Sequence, residues 1–335
     1  MVMKKLLLFF LSFVTAEIYA QDVQFSQYYQ APLYLNPAFT GITEGHRLVA
    51  NHRIQWPGLP QAFATYSVSY DVYSENLRSG FGIMAMNDRM GSAGWQSTAV
   101  QGLYSYKIKL SENLVFSPGL SFGYGSNGLD RSKVRLADGL QYDGQSLDPE
   151  LYHLEKQQYF DFTSGFVLYS KRAWLGASFA HMNRPNLSVT DGDSRLPMKT
   201  TIHGGMRINF IRSRRAHLPY LTPSFIYKIQ GPLWSQLDLG MNFHVDPVAV
   251  GIWYRGKPFS KDAGNNIDQD AVIFFTGLYL KNLTVGYSYD FTISKLRSHA
   301  GGAHEISIMY EFTRKKTGKK QHKLIPCPAF YNNKQ

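Results

Sequence analysis

The chain has 335 residues, of which 44% are hydrophobic, 15% aromatic and 18% charged, and this composition excludes an intrinsically disordered protein. The formal net charge is +11, but residues 313–335 contain seven Lys and Arg residues and no acidic residue, so the excess belongs mainly to the tail and does not indicate nucleic-acid binding. No stretch after residue 20 approaches the roughly 18 consecutive apolar residues of a spanning helix, which excludes a helical membrane bundle. A β-barrel is not excluded, because its strands need apolar residues only at alternate positions.

The first twenty residues predict a secretory signal peptide. Lys4 and Lys5 provide a charged start, the apolar run 6–14 follows, and the small residue Ala20 ends the segment. The apolar run is too short to cross a membrane. We therefore expect residues 1–20 to be cleaved and the remainder to be exported.

Residues 21–45 precede the first predicted strand and are rich in aromatic side chains. Asn36-Pro37 initiates a turn and Gly41 supplies a permissive backbone, so we expect an ordered segment that must bury its aromatic residues. Three interpretations stay open: a plug inside a barrel, a periplasmic docking element, or an ordinary leader to the first strand. The residues expected to bind a partner are Tyr28, Tyr29, Tyr34, Asn36, Pro37, Phe39 and Gly41.

The region 46–312 predicts about fourteen antiparallel β-strands. In residues 282–291 apolar side chains occupy every odd position and polar or small ones every even position, a period of two that indicates a strand. Similar patterns predict strands near 47–55, 61–73, 79–88, 96–109, 113–125, 158–170, 172–181, 199–210, 216–229, 233–245, 247–256, 270–280, 282–291 and 302–312. Pro219 and Pro223 predict a bulge or a shortened strand in the ninth of these.

The predicted connections alternate in length. Tight links fall at 74–78, 110–112, 171, 211–215, 245–246 and 281, and longer ones at 89–95, 126–157, 182–198, 257–269 and 293–301. Aromatic residues lie near many strand ends. Both features are typical of a transmembrane outer-membrane β-barrel, with long loops outside the cell and short turns in the periplasm. A secreted β-sandwich or propeller is the soluble alternative.

Several enzyme-like patterns do not predict catalysis. The G-x-G-x-x-G pattern 123–128 has no following helix, and Ser121 of a G-x-S-x-G pattern lies within a strand. His203, His244 and Asp238 share no metal-ligand spacing, and they are expected to line a hydrated lumen. We therefore predict no catalytic, cofactor-binding or metal site, with a weak calcium cluster in the loop 262–270 left open.

Four internal segments and the C-terminal ending resemble the PorP/SprF family of outer-membrane proteins from type IX secretion and gliding motility in Bacteroidota. The segments are the opening stretch 27–41, His52-Arg53-Ile54-Gln55-Trp56, Asn87-Asp88-Arg89-Met90-Gly91, Gly302-Ala303-His304-Glu305-Ile306-Ser307 and the ending Cys327-Pro328-Ala329-Phe330. The resemblance departs at Gln61-Ala62-Phe63, where Gly-Ala-Pro would be expected.

The resemblance implies a non-enzymatic component of the outer membrane. Such a protein would couple a type IX secreted surface protein, often an adhesin recognised through its C-terminal domain, to the membrane and to periplasmic ring components or a peptidoglycan-binding protein. The alternatives are a general diffusion porin and an outer-membrane lipid-modifying enzyme, for which no Ser/His pair is evident at the lipid-facing girdle.

The tail 313–335 is expected to lie in the periplasm. Its basic run could bind anionic lipid headgroups or an acidic protein surface, and a disordered solvating tail is the alternative. The apolar ending favours docking, because a solvating tail does not need it. The residues predicted to bind a partner are Lys315, Lys316, Lys319, Lys320, Cys327, Pro328, Phe330 and Tyr331.

Overall fold

The computed structural model describes residues 22–43, 45–59, 62–91, 94–130, 156–189, 192–210, 219–232, 234–261, 267–293, 301–313, 325 and 327–328. The predicted signal peptide lies outside this range. So do Lys315, Lys316, Lys319, Lys320, Phe330 and Tyr331 of the predicted tail site.

Antiparallel β-structure dominates the described residues. The strands are β1 (Gly45–Gln55), β2 (Phe63–Ser74), β3 (Ser79–Met90), β4 (Trp95–Tyr106), β5 (Ile108–Lys109), β6 (Leu114–Leu129), β7 (Gln157–Ser170), β8 (Ala173–Ala180), β9 (Lys199–Met206), β10 (Ile208–Asn209), β11 (Tyr220–Gln230), β12 (Trp234–Val245), β13 (Val248–Lys261), β14 (Ile267–Tyr279), β15 (Leu283–Thr292) and β16 (Ala303–Thr313).

The strands close into a barrel. Apart from the two-residue strands β5 and β10, each strand pairs with the next one along the chain, and β1 pairs with β16 from Gly45↔Thr313 to Gln55↔Ala303, which joins the two ends of the sheet. The two-residue strands β5 and β10 continue β4 and β9 along the same partners, β6 and β11. Counting β4 with β5, and β9 with β10, as one strand position each, the barrel has fourteen strands. This confirms the predicted fold class and strand number.

The barrel is apolar outside and polar inside, the reverse of a soluble protein. Along β1, the outward Leu48 is 40% exposed, whereas the inward Arg47 is fully buried. Outward Val68 of β2 is 51% exposed, and inward Asp71 is buried. A surface of this kind is stable where lipid replaces water, because alternate side chains then meet hydrocarbon.

The two ends of the barrel differ in their connections. At one end, here called the short-turn end, β2–β3, β7–β8 and β12–β13 are joined by residues 75–78, 171–172 and 246–247. The opposite, long-loop end carries the connections 130–156 and 181–198. Two links there are shorter than predicted, 91–94 and 262–266, because hairpin pairing continues to Met90↔Trp95 and to Lys261↔Ile267.

Before β1, the chain forms three short helical turns. A 3-10 turn spans Tyr28–Gln30, the single α-helical turn α1 spans Pro32–Leu35, and a second 3-10 turn spans Pro37–Phe39. Proline begins α1 and the second 3-10 turn, where its fixed φ suits a helix start and its missing N–H costs no hydrogen bond. No helix among the described residues has the length and apolar character needed to cross a membrane.

Candidate functional site: a plug in the lumen and the vestibule above it

Residues 22–43 lie inside the barrel, and are called the plug below. The segment starts near the long-loop end, where Asp22 contacts His181 and Lys199 at the two ends of the 181–198 connection. It finishes near the short-turn end, where the Gly41 N–H donates to Asp71 of β2. The structure therefore places the segment along the lumen, with its contacts on the inner wall.

Buried charges bind the upper part of the plug to the wall. The backbone N–H groups of Ser26 and Gln27 donate to the Glu305 carboxylate, at 2.7 and 3.1 Å. Arg53 donates to Ser26 Oγ at 2.7 Å and pairs with both Asp290 and Glu305. Buried carboxylates and guanidinium groups are stable only when they are paired, so these groups fix the plug in one position.

Asn36 joins the middle of the plug to three strands of the wall. Its Oδ1 accepts from the Ala38 N–H and caps the second 3-10 turn. Its Nδ2 lies 2.9 Å from the carbonyl oxygen of Ala177, 3.1 Å from that of Phe166 and 3.1 Å from His203 Nε2. Asn36 is completely buried, so its amide serves both the local turn and the attachment to the barrel.

Aromatic packing fills the space between these polar contacts. Tyr28 packs edge-on against Trp253 at a centroid distance of 5.0 Å, and Tyr29 packs against Phe275 at 5.1 Å. The Tyr34 hydroxyl donates to the Val23 carbonyl, and burial raises the pKa of Tyr34 to about 12. Six of the seven predicted partner-binding residues of this segment are buried inside the barrel, and the seventh, Tyr34, is partly buried.

At the short-turn end the plug lies very close to the wall. A Cβ atom on Gly119 would come 2.3 Å from the Ala38 nitrogen, so only glycine fits there. Lys107 Nζ donates to the Ala38 carbonyl at 3.0 Å, and Arg47 pairs with Asp71 at 2.8 Å. At its closest contact with the wall, between Ala38 and Gly119, the plug therefore leaves no space for a wall side chain.

The described C-terminal residues also lie in the lumen. Ile325 and Cys327 are buried in the same hydrophobic cluster as Tyr29 and Tyr169. Pro328 lines a cavity of about 40 Å³ together with Tyr28. The chain thus returns to the lumen after β16, and Cys327 and Pro328 are in contact with the plugged barrel.

A cluster of charges holds the start of the plug. Asp22 Oδ2 lies 2.8 Å from His181 Nε2 and 2.5 Å from Lys199 Nζ, and Asp161 contacts His181 Nδ1 at 3.0 Å. Burial alone would lower the pKa of His181, but the charge of Asp22 and the hydrogen bonds that the ring donates to both carboxylates raise it to about 9. His181 is therefore a cation at neutral pH, and Asp22 ties together both ends of the 181–198 connection.

Two cavities open above the plug, at the long-loop end. They measure about 940 and 480 Å³, and Asp22 and Val23 line both. The larger cavity, called the vestibule below, has plug residues Leu33 and Leu35 and connection residue Leu196 in its wall. Among the described side chains, no group of three or more His, Cys, Asp or Glu could hold a metal ion.

Of the residues that attach the plug, the sequence singled out Asn36 but not the charged ones. Arg53 and Glu305 occur in two of the segments that carried the family resemblance, but nothing local indicated that they meet Ser26. No sequence pattern indicated that Asp22, His181 and Lys199 would form an ion-pair cluster. A charged residue on the polar face of a predicted spanning strand was the available clue, because such a charge needs a buried partner.

A closed antiparallel barrel with an apolar outer face and a polar, plugged lumen defines an outer-membrane β-barrel protein. The chain belongs to the PorP/SprF family, since the family described as "Type IX secretion system membrane protein PorP/SprF" matches residues 17–310. The family resemblance in the sequence is confirmed. No curated protein matches the chain.

The solved structures that resemble the chain include outer-membrane proteins and channels. The CymD monoaromatic hydrocarbon channel is 13% identical with a TM-score of 0.48, and the match covers 85% of this chain and 93% of that chain. The P. putida toluene transporter TodX is 10% identical with a TM-score of 0.47, covering 84% and 93%. Omp33 of Acinetobacter baumannii is 7% identical with a TM-score of 0.44, covering 82% and 100%.

Proposed function

We propose that the chain is a non-enzymatic coupling component of type IX secretion, which attaches a secreted surface protein of the adhesin type to the outer membrane and to the periplasmic machinery. Family membership supports the secretion role. The observation that carries the proposal is the plug. Residues 22–43 occupy the lumen, where hydrogen bonds from Ser26 and Gln27 to buried Glu305 and the ion pairs of Asp22 attach them to the wall. The interior of the barrel is therefore closed.

The arrangement of the two ends of the barrel supports a role in coupling. The vestibule offers a binding surface at the long-loop end, which we assign to the cell exterior. At the short-turn end, burial of Ile325 and Cys327 fixes the tail to the barrel. In this proposal, Lys315, Lys316, Lys319 and Lys320 attract a periplasmic partner, and Phe330 and Tyr331 anchor it.

A catalytic role has less support than a structural one. Ser121 of the G-x-S-x-G pattern lies in the middle of β6, and its hydroxyl donates to Gln101 Oε1 at 3.2 Å. A nucleophile would instead need an exposed turn and an adjacent base. His203 is fully buried and contacts Asn36 of the plug.

Affinity isolation of the tagged, full-length chain from native membranes in mild detergent tests the proposal. We expect a type IX surface protein and a periplasmic component to be recovered with it. A variant that ends at residue 313 should retain the surface protein and lose the periplasmic component. Recovery of the barrel alone, under conditions that preserve other outer-membrane complexes, would contradict the proposal.

A further inference from the structure

A row of polar side chains crosses six neighbouring strands on the inner wall of the lumen. The register pairs Glu305 with Arg53, Arg53 with Thr65, Thr65 with Asp88, Asp88 with Ser97, and Ser97 with Asn127. All six face inward, and they are called the polar ring below. Because the register makes them neighbours along the wall, a single bound segment could contact several of them at once.

The plug satisfies one half of the polar ring. Glu305 accepts hydrogen bonds from two plug N–H groups, and Arg53 donates to Ser26 of the plug. On this side every charge has an opposite charge within reach: Arg53 Nη1 lies 3.4 Å from Glu305. A polypeptide segment is therefore already the partner of this half.

The other half faces the vestibule without such a partner. Asp88 is 5% exposed, its carboxylate accepts from Thr65 Oγ1, and no cation pairs with it among the described residues. Asn127 is also 5% exposed, and its Oδ1 has no hydrogen-bond partner. Buried polar groups are nearly always paired, so a carboxylate without a cation and an amide oxygen without a donor in the wall of one cavity indicate a missing ligand.

The spacing of these two groups suggests the kind of ligand. Asp88 and Asn127 are two strand spacings apart, about 10 Å, which an extended peptide covers in about three residues. Both groups accept hydrogen bonds, so the ligand must supply a cation at Asp88 and an N–H at Asn127. The apolar side chains of Leu33 and Leu196 in the same cavity fit apolar neighbours of the cation.

We propose that the vestibule binds an extended polypeptide segment that places a lysine or arginine side chain on Asp88 and a backbone N–H on Asn127. This inference rests on the proposed function, because it assigns to the vestibule the segment of the secreted protein that the barrel receives. The bound segment completes the half of the polar ring that the plug leaves open.

Fluorescence anisotropy on the full-length protein in detergent micelles tests the inference. The probes are three fluorescein-labelled peptides, Thr-Val-Xaa-Val-Thr with blocked ends, in which Xaa is Lys, Gln or Glu. We expect the Lys peptide to bind at least about tenfold more tightly than the Gln peptide, and the Glu peptide to bind more weakly than both.

Variants identify the site. Asp88→Asn should abolish the preference for Lys over Gln, whereas Asp193→Asn, at an exposed carboxylate of the rim, should preserve it. If Asp88→Asn does not fold, equal binding of the Lys and Gln peptides to the unsubstituted protein would still overturn the assignment. A preference that survives in folded Asp88→Asn would overturn the assignment. Displacement of the Lys peptide by an equal concentration of putrescine would assign the site to small amines instead.

Failure of this inference differs from failure of the proposed function. If the Lys peptide does not bind but a secreted protein still copurifies with the chain, the vestibule assignment alone is wrong. Binding of the Lys peptide with loss of preference in Asp88→Asn supports the assignment, even where no secreted protein is recovered.

Discussion

Arg53→Met should lower the free energy of unfolding by about 3–5 kcal/mol, which is the usual cost of removing one partner from a buried ion pair. Arg53 contacts Ser26 Oγ, Asp290 and Glu305, and its side chain is 5% exposed. Without it, Glu305 has no cation within salt-bridge distance among the described side chains. The buried carboxylate would then favour protonation or release of the upper plug.

Urea unfolding of the protein in lipid vesicles, followed by tryptophan fluorescence, measures this effect. Arg172→Met is the matched control, because Arg172 is exposed in the turn between β7 and β8 and should shift the midpoint very little. Adding Glu305→Gln to Arg53→Met should recover part of the loss, since it removes the unpaired charge. Equal midpoints for Arg53→Met and Arg172→Met would show that the cluster does not stabilise the barrel.

Deletion of residues 22–43 should convert a closed barrel into a conducting one. The plug occupies the lumen between Glu305 and Gly41, and cavities of about 30 and 40 Å³ are found beside it. A barrel of fourteen strands without a plug is wide enough to hold water. Because its inner wall carries charged residues such as Arg47, Lys107 and Arg255, we expect that wall to hydrate.

Planar-bilayer recording measures the conductance of each variant. The full-length protein should show no steady conductance, and the chain without residues 22–43 should show discrete openings. Deletion of 314–335 alone should leave the barrel closed, because Gln27, Asn36 and Phe39 still fill the lumen. Combining both deletions should give the largest conductance, since Ile325 and Cys327 are also removed. A large steady conductance of the full-length protein would favour the diffusion-porin alternative.

Local patterns were sufficient to predict the barrel wall. A strand in lipid must alternate apolar and polar side chains, and this requirement is visible within ten residues, as in 282–291. The prolines affected one strand as expected, because the strand predicted from residue 216 begins at Tyr220, directly after Pro219. Pro223 lies within this strand, paired with Met241. Strand ends at long loops were less predictable, because hairpin pairing continues through polar residues.

The interior could be predicted only in part. Asn36-Pro37 indicated an ordered turn, since an Asn cap and a proline start are local features. The attachment of that turn to Ala177, 141 residues later, has no local signature. The polar ring is equally non-local: Arg53, Asp88 and Glu305 come from three separate segments and lie in one row only because the register of the closed barrel aligns them.

Surface display of a type IX secreted protein tests the central claim most directly. Intact cells that lack the chain are labelled with an antibody to the secreted protein, alongside cells complemented with the full-length chain, and uptake of a small hydrophilic solute is measured in both. Coupling predicts that display is lost without the chain and restored by complementation, while solute uptake stays the same. Normal display with reduced uptake in cells lacking the chain would contradict the account and identify the barrel as a porin.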